Sequence, residues 1–250
     1  MKRIRRYGWL ALIIFLLLAA AVGGFVIWAS AVSAPMPEAL AALQLDDKVT
    51  VESGKWLIFR PTQQNPTTGL IFYPGGKVDY RAYAPAMHAI AAEGYLVVIV
   101  PMPLNLAVLA PNRAADVIAA FPSIEHWAVG GHSLGGSMAA HFAYAHRGTV
   151  QGLVLWASYP AANESLATQG LNVVSISGSR DGLATPDKVA ASRPLLPPDT
   201  RWVIIAGGDH AQMGWYGPQA GDNPATISRA DQQQQVVAAT LDLLRSLAAP

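Results

Sequence analysis

The chain has 250 residues, 52% hydrophobic and only 13% charged, enough for one well-buried domain with a short appendage and too few for two ample domains. Its net charge of +1 hides an asymmetry: Lys2, Arg3, Arg5 and Arg6 precede the first apolar run, and without those four the remainder stands near −3, which argues against a nucleic-acid surface. With no cysteine there is neither a disulfide framework nor a thiolate site, a zinc site would need His and carboxylates alone, and no metal or cofactor is expected.

From Gly8 to Ala34 no side chain is charged, and Trp9 to Trp28 is almost purely aliphatic and aromatic. At 1.5 Å per residue, about 20 such residues cross the roughly 30 Å hydrocarbon core of a bilayer. The Lys/Arg cluster before it favours a cytoplasmic N-terminus and sends the rest of the chain outward, with Trp9 and Trp28 as interfacial aromatics. The expectation is a single-pass signal anchor over residues 1–32, with an extracytoplasmic domain at the cell membrane. Ala29-Ser30-Ala31 has the small-x-small form of a signal-peptidase site, so secretion after cleavage stays open, although the apolar run exceeds an ordinary signal core. Residues 33–48, with Pro35 and Pro37, read as a tether, and 49–250 as the folded domain.

Within that domain, β-branched apolar runs alternate with amphipathic or Ala-rich stretches, which predicts a mainly parallel β-sheet flanked by helices, an α/β fold. Val49–Glu52 and Trp56–Arg60 read as an opening hairpin with Ser53-Gly54 at its turn. Strands are expected at Leu70–Tyr73, Tyr95–Val100, Trp127–Val129, Val150–Trp156, Val173–Ser177 and Trp202–Ala206. Helices are expected at about Tyr83–Glu93, stopped by Gly94, at Arg113–Ala120, Ser137–His146 and Ser228–Leu247. The last opens with Ser228 and Asp231 in a variant capping box.

Gly131-His132-Ser133-Leu134-Gly135 matches G-x-S-x-G, with Gly136 following. A chain that reverses from strand to helix this tightly has no room for a Cβ at its flanks and holds its central serine exposed. Here an apolar strand precedes the motif and a small-residue helix follows, as a nucleophile turn requires. The helix N-terminus also presents free N–H groups and its positive dipole end to a reacting oxygen. The turn lacks the Gly-Lys-Ser/Thr of a P-loop and does not read G-x-G-x-x-G.

On Gly131–Gly136, Tyr73-Pro74-Gly75-Gly76 and Gly207-Gly208-Asp209-His210, the chain resembles the α/β-hydrolase superfamily, and within it the compact dienelactone-hydrolase-like members, over roughly residues 56–247. The resemblance implies a Ser-acid-His order, each residue at a strand end. Asp181, beyond the strand Val173–Ser177 and ahead of the N-cap Thr185-Pro186, is then the acid, with Asp187 as runner-up. His210 is the base. The remaining histidines are expected to pack or to sit at the surface: His88, His141 and His146 on helices, His126 before a strand, and His132 turned away from the Ser133 hydroxyl. The oxyanion donors would be the backbone N–H of Leu134 and, by resemblance, that of Gly76, with Lys77 next in line.

The resemblance implies hydrolysis of a small-molecule ester, lactone or thioester through an acyl-enzyme. Acyl transfer or perhydrolysis on the same triad, or a non-catalytic membrane-anchored binding protein, stay as alternatives. Aspartate-nucleophile chemistry is disfavoured because a serine stands at 133. Ser158 to Asn172 is too short for a cap, so the site is expected to be open. Tyr159 and the stretch from His210 to Ser228, with Met213, Trp215, Tyr216 and Pro218, could supply pocket walls, although packing is the default role for aromatics.

Overall fold

The computed structural model describes residues 2–248. Helix α1 (Lys2–Ser30) is followed by α2 (Pro37–Ala41), the antiparallel strands β1 (Val49–Ser53) and β2 (Leu57–Pro61), and then β3 (Thr68–Tyr73), α3 (Ala84–Ala92) and β4 (Leu96–Ile99). After α4 (Ala114–Ala120) come β5 (His126–His132), α5 (Leu134–Ala145), β6 (Gly152–Trp156), β7 (Asn172–Gly178), α6 (Pro186–Ala191), β8 (Arg201–Ile205) and α7 (Arg229–Ala248). The eight strands form one sheet in the order β1-β2-β4-β3-β5-β6-β7-β8, parallel from β4 to β8. This is the expected α/β architecture with its opening hairpin.

Because side chains alternate across a strand, each central strand feeds two cores. Leu70 and Phe72 of β3 pack with α3 and α7 on one face, while Ile71 and Tyr73 pack with α4 and α5 on the other. All six residues of β3 and all four of β4 are buried, so an apolar run without alternation is what this position demands. Helix ends follow their local chemistry. Gly94 ends α3 with φ 99°, which costs glycine little, and Ser228 and Asp231 cap α7 reciprocally at 3.1 and 2.7 Å. Thr185 Oγ1 accepts from the Lys188 N–H at the start of α6, with Pro186 in the first turn.

The apolar window Trp9–Ser30, 22 residues with mean hydropathy 2.9, is long and apolar enough to cross a membrane, and within it only Ala29, near its end, is buried. The stretch read as a tether is not loose. Ser33 bridges Val78, Pro35 bridges Tyr216, and the Met36 N–H donates to the Trp215 carbonyl at 2.9 Å. Spacing and proline content alone carry no record of which surface an extended segment will find.

Candidate active site

Every parallel strand that matters for chemistry ends at the same edge of the sheet. There β5 passes into α5 through Ser133, whose φ of 51° and ψ of −122° lie in a region that costs a non-glycine residue on the order of 1–3 kcal/mol. The turn closes because its flanks are glycines. A Cβ on Gly131 would come within 2.6 Å of the Tyr73 carbonyl oxygen, and one on Gly135 would run into the backbone of Tyr73 and Pro74. The Ser133 N–H donates to the Trp156 carbonyl at 3.0 Å, and the Ser158 hydroxyl donates to the Ser133 carbonyl at 2.7 Å. The strained residue is therefore tied down on both sides.

Beyond β7, Asp181 is buried, and its Oδ1 accepts from the Leu183 and Ala184 N–H groups at 2.8 and 2.7 Å. Its Oδ2 lies 2.8 Å from Nδ1 of His210, itself 1% exposed, in the loop after β8. With three acceptor contacts the carboxylate has little freedom to turn, and the imidazole plane is set by it. Asp187 sits in the first turn of α6 and is exposed. His210 Nε2 is buried without a hydrogen-bond partner among the described residues, so Ser133 and His210 do not share a hydrogen bond here. Both nevertheless line one cavity of about 270 Å³, with Leu134, Tyr159, Leu183 and Ala184. In unliganded hydrolytic sites this contact is commonly long and tightens with substrate.

The loop after β3 supplies the oxyanion candidates. Gly76 lies against Leu134, since a Cβ there would sit 3.1 Å from Leu134 Cδ2, and neither the Gly76 nor the Leu134 amide has a hydrogen-bond acceptor among the described residues. Lys77 departs from expectation. Its φ of 58° belongs to the tight turn from Gly75 to Val78, and its N–H is spent on the Asn105 carbonyl at 2.9 Å. Of the Gly75, Gly76 and Lys77 amides, that of Gly76 alone is without an acceptor among the described residues, and Lys77 braces the turn.

His132 turns away from Ser133 into a buried layer beneath His210, its ring centroid 4.5 Å from that of the His210 ring. The Tyr83 hydroxyl accepts from the Gly75 N–H at 3.0 Å and lies 2.9 Å from His132 Nδ1. Donation to Nδ1 gives the buried Tyr83 hydroxyl hydrogen a partner, and in that arrangement the His132 hydrogen sits on Nε2. Burial, seconded by the neighbouring His210, holds the His132 pKa well below its ordinary value, with the His210 backbone carbonyl opposing. Burial pushes the Tyr83 phenol well above its usual range. Both stay neutral at pH 7.

A comparison with protein families matches residues 69–234 to the alpha/beta hydrolase family. The chain belongs to that family. Solved structures with the same fold include the esterase domain of a Rhodothermus marinus protein, 11% identical with TM-score 0.58, covering 82% of this chain and all of that one. An esterase of Thermogutta terrifontis is 13% identical with TM-score 0.55, covering 80% of this chain and 92% of its own. An alpha/beta hydrolase from lagoon sediment metagenome of Mar Chica, Morocco, is 18% identical with TM-score 0.53, covering 67% and 91%. A comparison with curated proteins finds no match.

This alpha/beta hydrolase carries positioning groups that no motif announces. Asp222 joins the loop of Asp181 to the loop of His210: Oδ1 accepts from the Gly182 N–H and Oδ2 from the Ala211 N–H, both at 2.9 Å. Gln232, from the first turns of α7, accepts from the Asp209 N–H and donates to the Asp209 carbonyl beside His210. In sequence these are a turn aspartate and one glutamine of four, with no spacing to flag them. The aromatics expected as pocket walls divide. Tyr159 lines the cavity, Met213 and Tyr216 are buried in the core, and Trp215 borders a groove between α3 and α7. Leu183 and Ala184 make the other wall. Three of the remaining histidines find partners elsewhere: His88 with Asp46, His141 with Glu164 and His146 with Asn112. Among the described residues no group of three or more His, Asp or Glu stands in a metal-binding arrangement.

Proposed function

We propose that the chain is a membrane-anchored serine esterase in which Ser133 is the nucleophile, His210 the general base and Asp181 the residue that orients it. The observation that carries this reading is the buried Asp181–His210 pair at 2.8 Å, opening on the same cavity as a serine held in a strained turn. The family match supports hydrolase chemistry, and the fold neighbours named as esterases favour ester bonds.

A serine hydroxyl becomes an effective nucleophile only when its proton has a receiver. His210 Nε2 takes that proton as Oγ bonds to the acyl carbon, then returns it to the departing alcohol. Water repeats the sequence on the acyl-enzyme and frees the acid. Asp181 keeps the imidazole in the tautomer with its hydrogen on Nδ1 and stabilises the imidazolium. The Gly76 and Leu134 amides meet the oxyanion, where loss of one donor typically costs on the order of 10²–10³ in turnover.

The anchor is the second part of the reading. Apart from half-buried Gly23, the apolar run from Trp9 to Trp28 is exposed, as a lipid-facing helix would be. Ala29, within the peptidase-like tripeptide, has no exposed surface, whereas cleavage needs an accessible extended chain. Both facts favour retention of the helix over removal, with the catalytic domain on the extracytoplasmic side.

Treatment of the full chain with a fluorophosphonate probe is expected to label it, and Ser133→Ala to abolish labelling and hydrolysis of chromogenic esters. Asp181→Asn should lower turnover by about 10⁴-fold. A wild type that takes no label would sink the esterase reading.

A further inference from the structure

The end of the apolar helix is built into the scaffold of the active site. Trp28, in the last turn of α1, carries the Lys77 ammonium over its ring at 4.4 Å from the centroid, and Ala29 beside it is fully buried. The Ser33 N–H donates to the Lys77 carbonyl at 2.8 Å, and the Asp79 N–H returns to the Ser33 carbonyl at 3.1 Å. Lys77 follows Gly76, which touches Leu134, the neighbour of Ser133. Trp28, Lys77, Gly76 and Leu134 thus link the end of the helix to the neighbour of Ser133.

A second apolar feature lies on the same side. Pro103–Asn105 packs beside α1, and its Asn105 carbonyl holds the Lys77 N–H at 2.9 Å. Immediately beyond it, Val108 and Leu109 are 52% and 48% exposed, although adjacent Leu106 and Ala107 are buried. Two large aliphatic side chains exposed just beyond the segment that packs on the apolar helix match a surface that rests in the acyl boundary of a bilayer. The cavity at Ser133, about 270 Å³, is small for a drug-sized ligand, which occupies roughly 300–1,000 Å³. It has room for an acyl group and leaves the rest of a larger substrate outside.

We propose that the mouth of this site is pressed against the membrane surface and that its substrate is an acyl ester of a bilayer-dissolved amphiphile, whose chains stay in the lipid while the acyl group enters the cavity. This rests on the esterase reading above. Ser133 Oγ bonds to the acyl carbon, the ester C–O bond breaks, the amphiphile's alcohol leaves with the proton from His210, and water releases the carboxylic acid.

The absence of cysteine permits a clean test on the full chain in phosphatidylcholine vesicles. Val108→Cys and, separately, Leu109→Cys, each carrying a bimane fluorophore, are expected to be quenched several-fold more by lipids with a nitroxide near the headgroup than the same label at Glu125→Cys. Glu125 is exposed at the opposite end of the sheet, ahead of β5. Aqueous iodide should show the reverse order. In parallel, 1,2-dihexadecylglycerol bearing a hexanoyl group on its third hydroxyl is placed either in the enzyme's own vesicles or in separate ones. Hydrolysis should be on the order of tenfold faster in the shared vesicles, because so apolar an ester does not cross water on the assay timescale. Equal quenching at both ends of the sheet, equal rates in the two arrangements, or no hydrolysis by enzyme that takes the fluorophosphonate each overturns the proposal alone. Enzyme that takes no fluorophosphonate overturns the esterase reading and the proposal with it.

Discussion

Asp222 shows how much of a site's geometry depends on a residue that touches none of the reacting atoms. Its two oxygens hold the amides of Gly182 and Ala211, each adjacent to a member of the Asp181–His210 pair. Displacements of about 1 Å at such a pair cost on the order of 10²-fold in rate. Asp222→Ala is therefore expected to lower kcat by about that factor with KM little changed, measured by steady-state kinetics. Loss through global unfolding would instead lower the fraction of fluorophosphonate-reactive protein at unchanged kcat. His132 bears on stability. Its pKa in the fold is depressed below the ordinary 6.5 by burial and by His210, so between those two values the unfolded chain binds the extra proton. Stability then rises with pH through that window: it is whole above about pH 6.5 and declines below by up to about 1.4 kcal/mol per pH unit. Tyr83, His210 and Tyr216 face the ring. Denaturant titrations from pH 7 to 5 should show a shallower decline for His132→Gln than for the wild type.

Among the elements, the helices that begin with identifiable chemistry begin where the residues say. Ser228 closes the start of α7 with both its donor and its acceptor, and α7 also carries Gln232 to the loop of His210. Ser228→Ala should cost about 1 kcal/mol, a fall of roughly 2–4 °C in Tm for a domain of this size, read by circular dichroism. Helix α5 shows the opposite case. Its glycines and serine suggest a start near Ser137, yet it begins at Leu134, because the turn around Ser133 places Gly135 and Gly136 under the strand ends where only glycine fits. Propensity disfavours glycine in a helix by about 1 kcal/mol, and close packing of the turn overrides it.

At the scale of the molecule, the apolar helix and the domain meet through Trp28, Ala29, Ser33, Pro35 and Met36. An anchored domain on the outer side predicts that trypsin added to intact cells removes the domain while the Lys2–Arg6 end stays protected; a fully protected domain would reverse the orientation. The strand count, the parallel sheet, the hairpin and the tight glycine-flanked turn at Ser133 were all legible in the residues. Periodicity, β-branched runs and glycine spacing are local properties, and Ser133, Asp181 and His210 each follow a strand that such signals mark. The Asp222 bridge, the Tyr83–His132 layer, the spent amide of Lys77 and the docking of residues 33–36 were not legible. Each joins segments dozens of residues apart, through hydrogen bonds that any polar side chain or free carbonyl in reach could have made. Local pattern sets which elements form and where a chain must turn tightly, whereas the choice of partner among many equivalent polar groups is made only when packing brings one of them within 3 Å.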